Sequence, residues 1–123
     1  MQKFYSNGKL LLSGEYLILD GATGIGLPTA LGQEMLISNS NLDGVLSWES
    51  LDETGDSWFI GSYSLPDLKL LGYTGQQKVA HTLQSILLEA KKVSPTFLDS
   101  NQGIHVTTKL QFPSDWGLGS SST

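Results

Sequence analysis

The sequence predicts an α+β fold with several β-strands, one long helix and a further strand that leads into a glycine-serine turn. Apolar residues recur with helical spacing once, between about Gln76 and Lys92. A strong alternation of mainly apolar and polar residues runs from Ile104 to Phe112, as expected for a strand with one buried face. Elsewhere, short apolar runs are separated by glycines and polar turns, which is typical of β-hairpins.

The N-terminal half is expected to form these hairpins. The segment KLLLSGEYLIL (9–19) indicates two strands joined through a turn or bulge at Ser13-Gly14-Glu15. The next segment, DGATGIGLPTALGQ (20–33), is so rich in glycine that the backbone should bend or approach another segment closely. Further strands are predicted over 34–38, 45–49 and 58–63, and the acidic residues Glu49, Asp52, Glu53 and Asp56 are interpreted as a solvated turn.

The helix has a predicted start, apolar face and end. Thr74 and Gln77 have the spacing of a capping box, and Pro95 marks the end of the segment. The predicted apolar face comprises Val79, Leu83, Ile86, Leu87 and Ala90. His81 lies almost opposite that face, and His105 shares the polar face of the alternating strand, so both histidines are expected at the surface.

Composition excludes several classes of function. Seven basic residues, all lysines, face twelve carboxylates, giving a formal charge of −5. An acidic chain without arginine argues against a nucleic-acid partner. The absence of cysteine excludes disulfides and thiolate zinc sites. The sequence has no stretch of ~18 apolar residues, so we expect a cytoplasmic protein without a membrane partner.

The segment FPSDWGLGSSST (112–123) suggests an anion-binding turn. Gly117 and Gly119 would let backbone N–H groups approach phosphate oxygens, and the hydroxyls that follow could bind phosphate or magnesium. The lysine of the Walker motif is missing. Taken alone, the pattern leaves open a serine-rich surface tail.

A second motif makes the pattern more specific. Asn7-Gly8-Lys9 is followed by Gly14-Glu15-Tyr16, and about a hundred residues later comes Pro113-Ser-Asp-Trp-Gly-Leu-Gly-Ser-Ser-Ser122. In this order and separation, the two motifs resemble those of the GHMP kinase superfamily. The triplet Gly14-Glu15-Tyr16 looks more like phosphomevalonate kinases and related mevalonate kinases than galactokinases.

The resemblance implies roles for individual residues. The glycine-serine loop would bind the ATP phosphates, Ser121 would also hold Mg²⁺, and Lys9 would stabilise the transferred phosphoryl group. Glu15 and Tyr16 would contact the small-molecule acceptor. The nucleotide-binding loop residues implied are Gly117, Leu118, Gly119, Ser120, Ser121 and Ser122.

The resemblance also implies the architecture: a two-layer sheet-plus-helix domain, the N-terminal part of a GHMP kinase (ribosomal protein S5 domain 2-like) fold, spanning residues 1–123. In the superfamily the catalytic aspartate and a third glycine-rich motif follow the phosphate loop. We therefore expect these 123 residues alone to bind ATP weakly without turnover, and open apolar faces to favour a homodimer. Two alternatives remain: a non-catalytic nucleotide- or anion-binding module, and a structural β-rich domain.

Overall fold

A computed structural model describes residues 2–13 and 25–116 of the chain. Their elements are β1 (Gln2–Ser13), β2 (Ile25–Asn39), β3 (Val45–Leu51), β4 (Ser57–Ser64), β5 (Leu70–Thr74), α1 (Gln77–Val93) and β6 (Ile104–Leu110), followed by a 3₁₀ turn at Ser114–Trp116. None of the helices in these ranges is both long and apolar enough to cross a bilayer.

The strands form one sheet in the order β1-β2-β6-β3-β4-β5. Neighbouring strands are antiparallel except β3 and β6, which run parallel and therefore end at the same edge of the sheet. Helix α1 lies over β4 and β5 on one face. The predicted α+β, two-layer arrangement is confirmed, although the short strand β5 was not predicted.

The core lies where α1 meets the sheet. Its buried members are Leu46, Tyr63, Leu65, Leu68, Leu87 and Val106. Tyr63 is fully buried, and its hydroxyl donates to the helical carbonyl of Ala80 over 2.8 Å. One aromatic side chain therefore fills the interface and also joins the sheet to the helix.

The predicted helix is present, but its apolar face is only partly covered. Ala80 and Leu87 are buried, whereas Ile86 is 59% exposed. The reason is that α1 lies over β4 and β5 alone, so Ile86 faces away from the strands that the helix covers. His81 is exposed, as expected.

The predicted capping box is wrong. Thr74 pairs with Ile60 as the last residue of β5, and the N-cap is Gln76, which makes no side-chain capping bond. Gly75, with a φ of +113°, turns the chain between strand and helix. Strand pairing holds Thr74 extended, two residues too early to cap the helix.

Strand β6 has the predicted alternation. Val106, Thr108 and Leu110 are buried on the helix side of the sheet. His105 lies on the opposite face, with a ring nitrogen 3.1 Å from the Thr107 hydroxyl. The period of two therefore identified the buried face correctly.

The glycine-rich segment bends locally and approaches β1 closely, as expected. Residues 25–28 and 32–33 of β2 pair with β1, but residues 29–31 have no partner there, so β2 is irregular opposite Gly8. Gly32 allows the close approach, because a Cβ there would lie 2.9 Å from Asn7 Cα and closer still to the Ser6 carbonyl oxygen.

Candidate active site at the ends of β3 and β6

The structure describes one of the sequence-predicted site residues, Lys9. It lies on β1 opposite Pro28, directly after a register shift at Gly8, and its side chain is exposed. No described carboxylate lies within ion-pair distance of it. The other predicted site residues fall outside the described residues: Glu15, Tyr16, Gly117, Leu118, Gly119, Ser120, Ser121 and Ser122.

A side-chain hydrogen bond joins the strand that carries Lys9 to its neighbour. Asn7, from the same motif, donates through Nδ2 to the Thr29 carbonyl over 2.6 Å. Within β2, the Thr29 hydroxyl donates to the Leu31 carbonyl over 2.7 Å. Both bonds involve the irregular part of β2 that lies opposite Gly8, next to Lys9.

Gln111 connects β1 and β2 to the segment that leads into the glycine-serine motif. Its side-chain Oε1 accepts from the Gly32 backbone N–H at 2.9 Å, and its backbone N–H donates to the Gly32 carbonyl at 2.9 Å. The Tyr5 hydroxyl lies 2.8 Å from Gln111 Oε1 and 2.7 Å from the Ala30 carbonyl, so it shares one proton between two acceptors. Sequence reasoning missed Gln111, because it is an ordinary polar position at the end of a strand.

We expect Tyr5 and Gln111 to be energetically coupled. In a double-mutant cycle of Tyr5→Phe and Gln111→Leu, measured by urea unfolding, the coupling should be about 1 kcal/mol, the usual net value of such a bond. The Gly32 amide should also exchange with solvent faster in Gln111→Leu. Strict additivity of the two substitutions would show that the contact contributes nothing to the junction.

A cavity of about 720 Å³ lies at the shared end of β3 and β6. Leu51 and Leu110, the last residues of the two parallel strands, form part of its wall. Apart from Pro113, the remaining described lining is polar, acidic or aromatic: Gln33, Asp52, Glu53, Trp58, Ser114 and Asp115. Ligands commonly bind beyond the carboxyl ends of parallel strands in open sheets. The cavity therefore lies where ligands commonly bind in such sheets. Three of its lining residues, Pro113, Ser114 and Asp115, come shortly before Gly117 in the sequence.

The cavity is acidic. Asp52, Glu53 and Asp115 line it, and no lysine belongs to its described lining. The Asp52 carboxylate accepts from the hydroxyl and amide of Thr54 at 2.6 and 2.9 Å, and from the Asp56 amide at 3.0 Å. The Thr54 hydroxyl bond, helped by these backbone amides, lowers the pKa of Asp52 below its usual value. This carboxylate is therefore charged at neutral pH, and it organises the β3–β4 turn.

The predicted solvated acidic turn is present at Asp52, Glu53 and Asp56, and one side of it forms the cavity wall. Glu49 was wrongly included, because it lies within β3 and pairs with Ile60. Gly55, with a φ of +90°, completes the turn. The adjacent Trp58 is 51% exposed, an aromatic surface open to a ligand. A tryptophan shortly after an acidic turn is the sequence signal that could have identified this part of the cavity wall. Across residues 2–13 and 25–116, no three His, Asp or Glu side chains are grouped closely enough to hold a metal ion.

Comparison with solved structures shows which proteins share this fold. No family model matches the sequence, and no curated protein matches it either. The fold is similar to that of the galactokinase of Lactococcus lactis in complex with galactose, with a TM-score of 0.69 and 17% identity. It is also similar to the mevalonate kinase of Methanococcus jannaschii, with a TM-score of 0.67 and 15% identity.

These similarities define the class of fold. Both alignments cover 98% of this chain, but only 29% of the galactokinase and 36% of the mevalonate kinase. The chain has the fold of the N-terminal portion of GHMP kinases, and the resemblance inferred from its two motifs is confirmed at the level of the fold. Its structural neighbours are kinases that are about three times as long.

Proposed function

We propose that this chain is the N-terminal, ATP-binding portion of a GHMP-type small-molecule kinase. The reaction is transfer of the γ-phosphoryl group of ATP to an alcohol or phosphate acceptor, and mevalonate or phosphomevalonate is the proposed acceptor. The observation that carries the proposal is the position of the cavity. In a fold shared with two kinases, it lies beside Pro113–Asp115, immediately before the glycine-serine motif.

The charges of the cavity favour the nucleoside part of ATP. Three carboxylates without a lysine would repel phosphate groups. Ribose hydroxyls and the adenine amino group are hydrogen-bond donors, which carboxylates can accept, and the exposed Trp58 ring offers a surface on which a purine can stack. Adenosine would therefore occupy the cavity, and the triphosphate would extend towards Gly117–Ser122.

The catalytic roles follow from the sequence motifs. Backbone amides of the glycine-serine motif would bind the triphosphate, and the Ser121 hydroxyl would contribute to binding Mg²⁺, which neutralises phosphate charge when bound. The Lys9 ammonium would stabilise charge on the transferred phosphoryl group. Glu15 and Tyr16 would contact the acceptor.

Replacing Trp58 should weaken nucleoside binding. We expect Trp58→Ala to lower the affinity for adenosine about 5- to 140-fold, corresponding to a stacking contribution of about 1–3 kcal/mol. The measurement is an NMR titration with adenosine and with Mg-ATP that follows the methyl resonances of Leu51 and Leu110, which line the cavity in both the wild type and the variant. In the wild type the Trp58 indole resonance should shift as well. Phe97→Ala is the matched control, because Phe97 is a partly exposed aromatic outside the cavity.

Two assays separate the kinase from its alternatives. The 123-residue chain should release no ADP with mevalonate, phosphomevalonate, homoserine or galactose, whereas a gene product extending past Thr123 should turn over with mevalonate or phosphomevalonate. Nucleotide binding by the longer product without turnover would favour the binding module. If neither adenosine nor Mg-ATP shifted the resonances of the residues that line the cavity, the proposed nucleotide site would be contradicted.

A further inference from the structure

Three residues of β2 form a bulge opposite Gly8, next to Lys9. Strand β1 is paired on both sides of Gly8, but residues 29–31 of β2 have no partner on β1. We call residues 29–31 the β2 bulge. Bulges re-aim nearby side chains, and they are over-represented beside active sites. The shape of the β2 bulge therefore affects how the strand that carries Lys9 runs along its neighbour.

Each carbonyl oxygen of the β2 bulge accepts a side-chain hydrogen bond. Asn7 Nδ2 donates to the Thr29 carbonyl at 2.6 Å, and the Tyr5 hydroxyl lies 2.7 Å from the Ala30 carbonyl. The Thr29 hydroxyl donates to the Leu31 carbonyl at 2.7 Å. Two of these donors come from β1, so its side chains replace the strand-pairing bonds that β1 does not make here. The bulge is therefore held in one shape by β1.

Gln111 joins this part of the sheet to the segment before the glycine-serine motif. Its side-chain Oε1 accepts from the Gly32 backbone N–H at 2.9 Å and lies 2.8 Å from the Tyr5 hydroxyl. The Tyr5 hydroxyl therefore contacts both the β2 bulge and Gln111. Directly after Gln111, Phe112 is fully buried. The chain thus leaves β6 along a path that is fixed by the Gln111 bonds on one side and by core packing on the other.

We propose that Gln111 is a positioning residue for phosphoryl transfer and acts through Tyr5 on Lys9. The inference rests on the proposed kinase function. Tyr5 and Lys9 belong to the same strand, and Gln111 begins the segment that leads to Gly117. The Tyr5–Gln111 contact therefore joins the strand that carries the ammonium to the entry of the phosphate-binding motif. A misplacement of about 1 Å between groups that act together can lower a rate about 100-fold, although each group stays intact.

The acting atom is the side-chain oxygen of Gln111. Oε1 takes part in both side-chain bonds of Gln111 that the structure describes, with Gly32 and with Tyr5. Gln111→Leu removes this acceptor at nearly the same side-chain size, whereas Gln111→Glu keeps an oxygen that can accept both bonds. Tyr5→Phe removes one of the two bonds and leaves the bond to Gly32. The loss of rate should therefore be largest in Gln111→Leu, smaller in Tyr5→Phe and smallest in Gln111→Glu.

The test uses the gene product that extends past Thr123, assayed by ADP release with mevalonate and with phosphomevalonate. Gln111→Leu should lower kcat about tenfold and change the KM for ATP less than about twofold, because it shifts groups relative to one another without removing any that bind ATP. Gln84→Leu is the matched control, because Gln84 on α1 donates to the Leu68 carbonyl at 2.9 Å and does not line the cavity. It should lose comparable stability in urea and keep its kcat. If Gln111→Glu lost as much rate as Gln111→Leu, the role of the oxygen would be contradicted.

A double-mutant cycle with Lys9 separates positioning from a general loss of structure. Lys9→Met removes the ammonium, so a displacement of residue 9 can no longer change the rate through its charge. In the Lys9→Met background, Gln111→Leu should therefore lower kcat less than about twofold. A full tenfold loss in that background would overturn the proposal, and so would an unchanged kcat when Gln111→Leu is the only substitution. A wild-type product that is inactive with both acceptors would instead overturn the proposed function, and this assignment with it.

Discussion

Gly32→Ala is expected to separate β1 from the rest of the sheet. A Cβ at this position would meet backbone atoms of Ser6 and Asn7, which cannot move aside as the end of a flexible side chain could. Overpacking of this kind costs about 1–3 kcal/mol and occasionally more. Urea unfolding should show that loss, and hydrogen exchange should show faster exchange of the β1 amides that pair with β2.

Gly72→Ala is the matched control. Gly72 also lies in a strand, but a Cβ there would meet nothing within 4 Å. Its substitution should leave the free energy of unfolding nearly unchanged. If both alanine variants were equally stable, the close approach at Gly32 would be contradicted. The outcome concerns the proposed function as well, because β1 carries Lys9 and is joined to the glycine-serine segment through Gln111.

Tyr63→Ala is expected to cause the largest loss of stability among single substitutions in the core. Tyr63 is fully buried between the sheet and α1, and truncating a buried aromatic to alanine costs about 3–5 kcal/mol. Because small domains are stable by only about 5–15 kcal/mol, thermal and urea unfolding should both show a large shift. Tyr73→Ala serves as the control, because Tyr73 is 42% exposed on β5 and its loss should cost much less.

Tyr63→Phe isolates the hydroxyl of this residue. It removes the bond to the Ala80 carbonyl and should cost about 1 kcal/mol at neutral pH. Burial raises the pKa of Tyr63 above its ordinary value of 10.0. The stability that this group contributes is therefore complete below pH 10 and is lost as the pH rises through the folded-state value. The wild type should accordingly lose its advantage over Tyr63→Phe above pH 10, and a constant difference at all pH values would contradict the assignment.

Local patterns in the sequence predicted much of the fold. The spacing of apolar residues identified α1 to within one residue at each end, and the alternation in β6 identified its buried face. Both signals depend on short-range periodicity, which survives without knowledge of partners. The capping box failed because Thr74 is held by Ile60, a residue fourteen positions away that no local pattern reveals.

The site residues indicated by the motifs stay predictions, because Lys9 is the one among them that the structure describes. The two glycine-containing motifs indicated the fold that the structural comparisons show, and Lys9 lies on β1, in a segment predicted to be a strand. The cavity beside Trp58 was not predicted, because its wall combines the β3–β4 turn with the segment after β6, more than fifty residues apart. The Gln111 junction was missed for the same reason.

The sequence by itself determined the α+β class, the helix, the buried face of β6 and the resemblance to GHMP kinases, because each depends on spacing or on motifs within one segment. Only the tertiary structure decided which strands α1 covers, which carboxylates share a cavity, and that Tyr5 and Gln111 meet just before the glycine-serine motif. These features arise from strand order and register. Pairing between distant segments sets that order, and it leaves no local periodic signal in the sequence.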